Sequence, residues 1–169
     1  LADKLKIVQL NGKIQLGLFK IEFVTLTHSI LEPNGLSIET PAGTVLHTGD
    51  WKIDQNPLIG EKINENKLKE IGKKGILAMI CDSTNVFSEG RAGSESDVRR
   101  SLLKIMQTKN NRIIVTSFAS NVARMESVFY CADKCGRQIS LVGRSMHRIY
   151  NAAKQCGYLK NVTEPIDPR

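Results

Sequence analysis

Histidine is scarce in this chain. Among 169 residues only His28, His47 and His147 are histidines, and no His-x-His pair occurs. Transition metals are held largely by clustered histidines, thiolates and carboxylates, so no metal centre can be built from histidines adjacent in sequence. Cys-x-x-Cys is also missing. The four cysteines stand at 81, 131, 135 and 156, which argues against a structural zinc knuckle. Cys131 and Cys135, four apart, would share one face of a helix. All four are expected as reduced thiols in a cytoplasmic protein. No run reaches the roughly 18–20 apolar residues needed to span a membrane, and the first residues show no signal-peptide pattern. No membrane partner is expected.

What is present is a 41% hydrophobic chain, enough for one ordinary domain or pieces of two, with a net charge of +7. The charge is uneven. Between Glu95 and Arg148 ten Lys and Arg face four carboxylates, nearly all of the excess. A basic half suits a polyanion such as nucleic acid, or is simply a solvated surface. The chain opens on Leu1 with LADKLKIVQLNG and closes on EPIDPR. Both ends read as mid-domain sequence, so a fragment is expected.

Residues 5–48 read as β-structure. KIVQL, KIQLGLFKIEFVTL, GLSIET and TVLHT are rich in Ile, Val, Phe, Leu and Thr, which suit strands. Asn11-Gly12, Pro33-Asn34-Gly35 and Pro41-Ala42-Gly43 are turn signals. SIETPAGTVLH reads as two strands of an antiparallel meander. Residues 55–75 are polar, with a weak helix around Asn64–Ile71 ending near Gly72.

From 76 the pattern changes. ILAMIC is short and wholly apolar, as a strand buried on both faces would be, and RIIVTSF (112–118) and ISLVG (139–143) repeat it. Helical periodicity follows each. Val98, Leu102, Ile105 and Met106 form one stripe, with Ser94 and Asp97 spaced for a capping box. Val122, Met125, Phe129 and Ala132 form the second. Met146, Ile149, Ala153 and Cys156 form the third, closed by Gly157. Three strand–helix units predict a doubly wound parallel sheet in an α/β chain. The expected division is 1–60, a connection at 61–75, and 76–169.

Ligands of such sheets bind beyond the carboxyl ends of the strands. Those ends carry Asp82-Ser83-Thr84-Asn85, Ser117-Phe118-Ala119-Ser120-Asn121 and Gly143-Arg144-Ser145. Small polar residues there can present helix N–H groups to phosphate or can simply cap helices, and the residues leave both readings open. Arg124, Arg144 and Arg148 stand close by in sequence. In the first half, His28 ends the strand KIEFVTL and Asp50 follows TVLHT, so imidazole and carboxylate could converge on one rim as ligands for zinc or manganese. His47 suits a supporting place behind a ligand. Gly49-Asp50 is equally a turn pattern, and two ligands do not hold a catalytic metal. Trp51 and Phe118 have faces that could stack on a base, and both read first as core.

Taken in order, EFVTLTHSI, NGLSIETPAGTVLHTGDWKID, GILAMICDSTNVFSEGRAGSESDVRRSL, RIIVTSFASNVARM and GRQISLVGRSM closely resemble bacterial ribonuclease J. HTGDWKID, CDSTN and SFASNVAR are the most specific parts. That family combines a metallo-β-lactamase domain with an inserted β-CASP domain. The resemblance therefore implies part of a metallo-β-lactamase β-sheet over 1–60 and a partial, doubly wound β-CASP domain over 76–169. It implies that Asp50 bridges two zinc ions, that His28 is a ligand of one of them, and that Asp82 is the β-CASP acidic motif and, with Asp50, catalytic. Ser120 and Asn121 fall where the family binds RNA phosphate. The implied activity is endonucleolytic and 5′-to-3′ exonucleolytic cleavage of RNA, with a metal-activated hydroxide attacking the phosphodiester. A homo-oligomer is implied for the full-length protein.

The family's His-x-His-x-Asp-His motif and its later histidine motifs are absent from this chain. Metal affinity depends steeply on ligand number, so the chain alone is expected to bind zinc weakly or not at all and to lack nuclease activity. A β-CASP module that grips RNA through Arg124, Arg144 and Arg148 without cutting is the alternative. A metallo-β-lactamase-fold hydrolase of a lactam or thioester is a further one, which the basic second half argues against. Residues 76–157 are expected to be the more autonomous part, because the N-terminal strands would expose sheet edges.

Overall fold

The computed structural model describes residues 4–167. The outermost residues of the two ends read above as cut lie outside the described residues. In chain order the elements are β1 (Lys13–Leu16), β2 (Phe19–Thr25), β3 (Asn34–Thr40), β4 (Gly43–His47), α1 (Glu65–Lys74), β5 (Ala78–Ile80), α2 (Glu95–Gln107), α3 (Val122–Lys134) and α4 (Arg144–Gln155). They divide into two compact units. The first comprises the chain up to His28 with residues 32–55 and 61–92, and the second comprises residues 29–31, 56–60 and 93 onward. The α/β class is as expected. Helix α1 and the ILAMIC segment both fall in the first unit, where β5 pairs with β4.

The first unit is built on one open sheet in the order β1-β2-β3-β4-β5. The first four strands are antiparallel neighbours, and β5 lies parallel to β4 with His47 opposite Ile80. KIQLGLFKIEFVTL is a hairpin, turning in two residues between Leu16 and Phe19. A single glycine in an apolar run hides that turn. KIVQL forms no strand. Pro33-Asn34-Gly35 is not the turn its composition suggests, since Asn34 and Gly35 open β3. Gly35 stands at a close approach: a Cβ would lie 3.0 Å from Leu26 Cδ1 and 3.1 Å from the His47 carbonyl oxygen, so a larger residue would need those neighbours to give way.

Helix α1 begins at Asn64, whose side-chain oxygen accepts the Lys67 N–H at 3.0 Å, and it runs past Gly72 to Lys74. It buries Ile71 and places Lys67 Nζ 2.5 Å from Glu22 of β2. Burial pushes the Glu22 carboxyl up, but Lys67 and then Lys13 outweigh it and hold it below the usual carboxylate range.

The second unit is held by its helices. The Ser94–Asp97 capping box forms at the start of α2 as spaced. Val122, Met125 and Phe129 of α3 are buried against Leu141, Tyr150, Ala153 and Leu159. The Phe129 and Tyr150 rings stack 5.7 Å apart with a 12° interplanar angle, an arrangement that adds to simple burial. Arg99 of α2 reaches α3, where it bonds Glu126 and Ser127 and lies over the Tyr130 ring. Two expected core positions are exposed, Ile105 and Cys156, and Tyr150 takes the buried place on α4.

Segments 112–118 and 139–143 do not form the expected ladder. Among the described residues the pairing there is one parallel bridge, Ser140 to Ile166, with the Ile166 N–H donating to Ile139 O at 2.7 Å. Arg137 ties the start of one segment to the other by donating to the carbonyls of Lys109 and Asn111. Exposure still alternates along residues 112–118, as in a strand with one covered face. Ile114 is 88% exposed and Phe118 85%, so Phe118 is not core. Parallel strands are paired through distant crossovers and are somewhat weaker per residue than antiparallel ones, which is why an apolar pattern alone overstates the ladder.

Candidate active-site edge

β2, β4 and β5 run in one direction, so their carboxyl ends share an edge of the first sheet. Three threonines organise it. Thr27, just beyond β2, bridges to Lys52: the Lys52 N–H donates to Thr27 O at 2.9 Å, the Thr27 hydroxyl donates to Lys52 O at 2.5 Å, and the Asp54 N–H donates to Thr27 Oγ1 at 3.0 Å. This antiparallel register sets Trp51 opposite His28. Thr48, just beyond β4, is buried; its N–H donates to Ile80 O at 3.0 Å, and its Oγ1 accepts the Asp82 N–H at 3.2 Å. Thr84 donates both its N–H, at 2.9 Å, and its hydroxyl to Asp82 Oδ1.

His28, Asp50 and Asp82 each follow the carboxyl end of one of these strands, β2, β4 and β5 in turn. His28 is half-buried and Asp50 is exposed. Between β4 and Asp50 stands Gly49 at φ 60, the left-handed backbone that favours glycine. The turn reading of HTGD and the site reading are therefore one feature: the left-handed glycine is what turns Asp50 onto the edge. The Gly49 N–H donates to His47 Nδ1 at 3.0 Å, so neutral His47 carries its proton on Nε2 and its lone pair is already engaged. That suits a supporting residue better than a ligand. The hydroxyl and then the N–H of Thr84 hold the Asp82 carboxyl below its usual range, with a smaller pull from His28.

Whether these residues fit a metal can be judged from the donor set. Among the described residues no group of three His, Cys, Asp or Glu side chains could hold a metal ion. His28 and Asp50 supply two donors, whereas catalytic zinc takes about three protein ligands. The residues present do not complete a metal site.

In the second unit the candidates have mixed duties. Asn121 caps α3, its side-chain oxygen accepting the Arg124 N–H at 2.9 Å. Arg124 forms a two-pronged pair with Glu95, Nε to Oε1 at 2.5 Å and the terminal nitrogen to Oε2 at 3.1 Å, and this raises the guanidinium pKa further. Ser120 and Arg144 are exposed. Helix α4 starts after Gly143 with no side-chain cap, so its first N–H groups remain available to an anion. Arg148, one turn on, is exposed too. Charge counting could not separate the arginines that hold helices together from those that face solvent.

Thr27 and Thr48 were not singled out by sequence, and Thr84 was named only as one of the small polar residues at a strand end. For Thr84 a signal existed, since Asp-x-Thr is a local turn in which the carboxylate accepts bonds from two residues on. Thr27 and Thr48 act across 25 and 34 residues, and no local pattern marks them.

The class is defined first by the second unit: residues 110–167 match the family model described as Ribonuclease J, beta-CASP domain. Three proteins bearing the name Ribonuclease J extend the likeness along most of the chain. The Sinorhizobium meliloti protein is 43% identical over 90% of this chain and 27% of its own length. The Thermus thermophilus protein is 37% identical over 94% and 28%. The Corynebacterium glutamicum protein is 42% identical over 85% and 20%. A solved structure, a protein of unknown function from Enterococcus faecalis V583, has a TM-score of 0.63 at 20% identity, covering 98% of this chain and 40% of that one; it supports the fold alone. The chain is similar to ribonuclease J along most of its own length, and it spans about a quarter of the length of the curated relatives it matches. No helix among the described residues is long and apolar enough to cross a membrane.

Proposed function

We propose that this chain supplies part of the active site of a metal-dependent ribonuclease that hydrolyses RNA phosphodiesters, and that it does not cut RNA alone. The observation that carries the reading is the shared direction of β2, β4 and β5, whose carboxyl ends are followed by His28, Asp50 and Asp82. In this reading His28 and Asp50 are two donors of a zinc centre, with manganese as the alternative metal. Asp82, kept ionised by Thr84, is an anionic acceptor beside them, and His47 supports the edge. Ser120, Arg144 and the uncapped start of α4 meet RNA phosphate. Asn121 and Arg124 contribute by fixing α3. In the longer protein the missing ligands come from residues outside this chain, in a cytoplasmic homo-oligomer.

Gripping without cutting is the second reading, favoured by the exposed basic side chains Lys104, Lys109, Arg112, Arg144 and Arg148. Both readings are tested together. Protein purified without chelator is assayed for zinc and manganese per chain, then for single-turnover RNA cleavage and for RNA affinity against salt. The expected result is substoichiometric metal, no chelator-sensitive cleavage, and an affinity that falls as salt rises. Near-stoichiometric metal with chelator-inhibited cleavage overturns the inactivity of the isolated chain. No affinity at low salt overturns the gripping role.

A further inference from the structure

We propose that Phe87 is a base-stacking residue for single-stranded RNA, an inference that rests on the RNA reading above. Phe87 is 98% exposed, so its ring packs on almost nothing within the chain. It is nonetheless not on a slack loop. Beyond β5 the backbone is folded into successive bonded turns: Thr84 N–H to Asp82 Oδ1 at 2.9 Å, Val86 N–H to Ser83 O at 3.0 Å, and Ser88 N–H to Asn85 O at 2.9 Å. Those bonds fix the chain on both sides of Phe87 and start from Asp82 itself, so the ring is held out to solvent from the edge that carries the candidate site.

The neighbours say what the ring suits. Ser83, Thr84, Asn85, Ser88, Glu89 and Arg91 surround it in sequence, and Val86 is the single apolar companion. An apolar socket in another protein would be met by a contiguous apolar patch. One flat face among polar groups fits a nucleobase, whose π-face stacks whatever its identity while its edges keep polar partners. Phe118 is also exposed, but it lies on the alternating segment 112–118, where an uncovered strand face explains it. No such strand accounts for Phe87.

The test uses the whole 169-residue chain and a 5′-labelled single-stranded oligoadenylate at low salt. Phe87→Leu keeps the apolar bulk and removes the ring, and circular dichroism verifies that the fold is unchanged. The expected result is about tenfold weaker binding with the same dependence on salt, since no phosphate contact is lost. Phe87→Trp restores the affinity, and its fluorescence, taken as a difference from the parent chain's Trp51 signal, is quenched on binding. If the parent binds and Phe87→Leu binds equally well, stacking is overturned while the RNA reading stands. If the parent itself does not bind, the gripping reading falls and the stacking role falls with it.

Discussion

The two units bury one face of an extended chain by different means. In the first, short connections fold β1 to β4 back on one another, and each strand satisfies its neighbour's backbone directly. In the second, residues 112–118 and 139–143 are extended but almost unladdered, and the structure is carried by side chains: the Phe129–Tyr150 stack, the Glu95–Arg124 pair, and Arg99 reaching from α2 to α3. A meander closes with little loss of loop entropy, whereas strands separated by whole helices must be held side by side by something else. Backbone pairing is thus concentrated in the region expected to be the less self-sufficient.

The contrast can be broken most forcefully at Phe129. Phe129→Ala removes the central ring of the helix core and is expected to cost about 3–5 kcal/mol. Hydrogen exchange should then show lost protection in α3 and α4 with the β2–β4 amides unchanged. Loss of both together would mean that the ladder does not stand on its own bonds. A smaller effect is expected at Arg124. Arg124→Met leaves the largely buried Glu95 carboxylate without its two-pronged partner, a loss of about 2 kcal/mol, read as a lower melting temperature of the helical signal. An unchanged melting temperature would mean that this pair does not hold the second unit.

The smallest effect sharpens the first unit's edge and leaves its stability nearly untouched. Asp82 titrates below its unfolded value of about 3.9 because Thr84 bonds its charged form. Its contribution to stability is therefore present above that value and is lost as pH falls through the lower folded one. Thr84→Val removes the hydroxyl and is expected to move the Asp82 midpoint back up, followed by carboxyl-carbon NMR. A midpoint that does not move would show that the turn does not keep Asp82 ionised.

Much of this was legible in sequence, for identifiable reasons. The helices were found because caps and stripes are local: Ser94 with Asp97, Asn121 before Val122, Gly157 after α4. His28, Asp50 and Asp82 stand out in sequence because they interrupt apolar runs at strand ends, and they do follow β2, β4 and β5 in the sheet. What failed was non-local. Pro33-Asn34-Gly35 looks like a turn because its sequence cannot show that Leu26 and the His47 carbonyl crowd Gly35. ILAMIC looks like the first strand of a parallel domain because its apolarity cannot say which neighbour it pairs with. Arg124 looks like a phosphate contact because Glu95 lies 29 residues away.

The parallel strand β5 also fixes an order of events during synthesis. β4 ends at His47 and β5 begins at Ala78, so about 30 residues, including all of α1, emerge between them. At roughly 5–20 residues per second a ribosome needs about 2–6 s for that stretch. The antiparallel strands bearing His28 and Asp50 are therefore available to pair as a nascent platform before Asp82 has left the exit tunnel. The edge is completed from one side, with its third acidic or imidazole group arriving last.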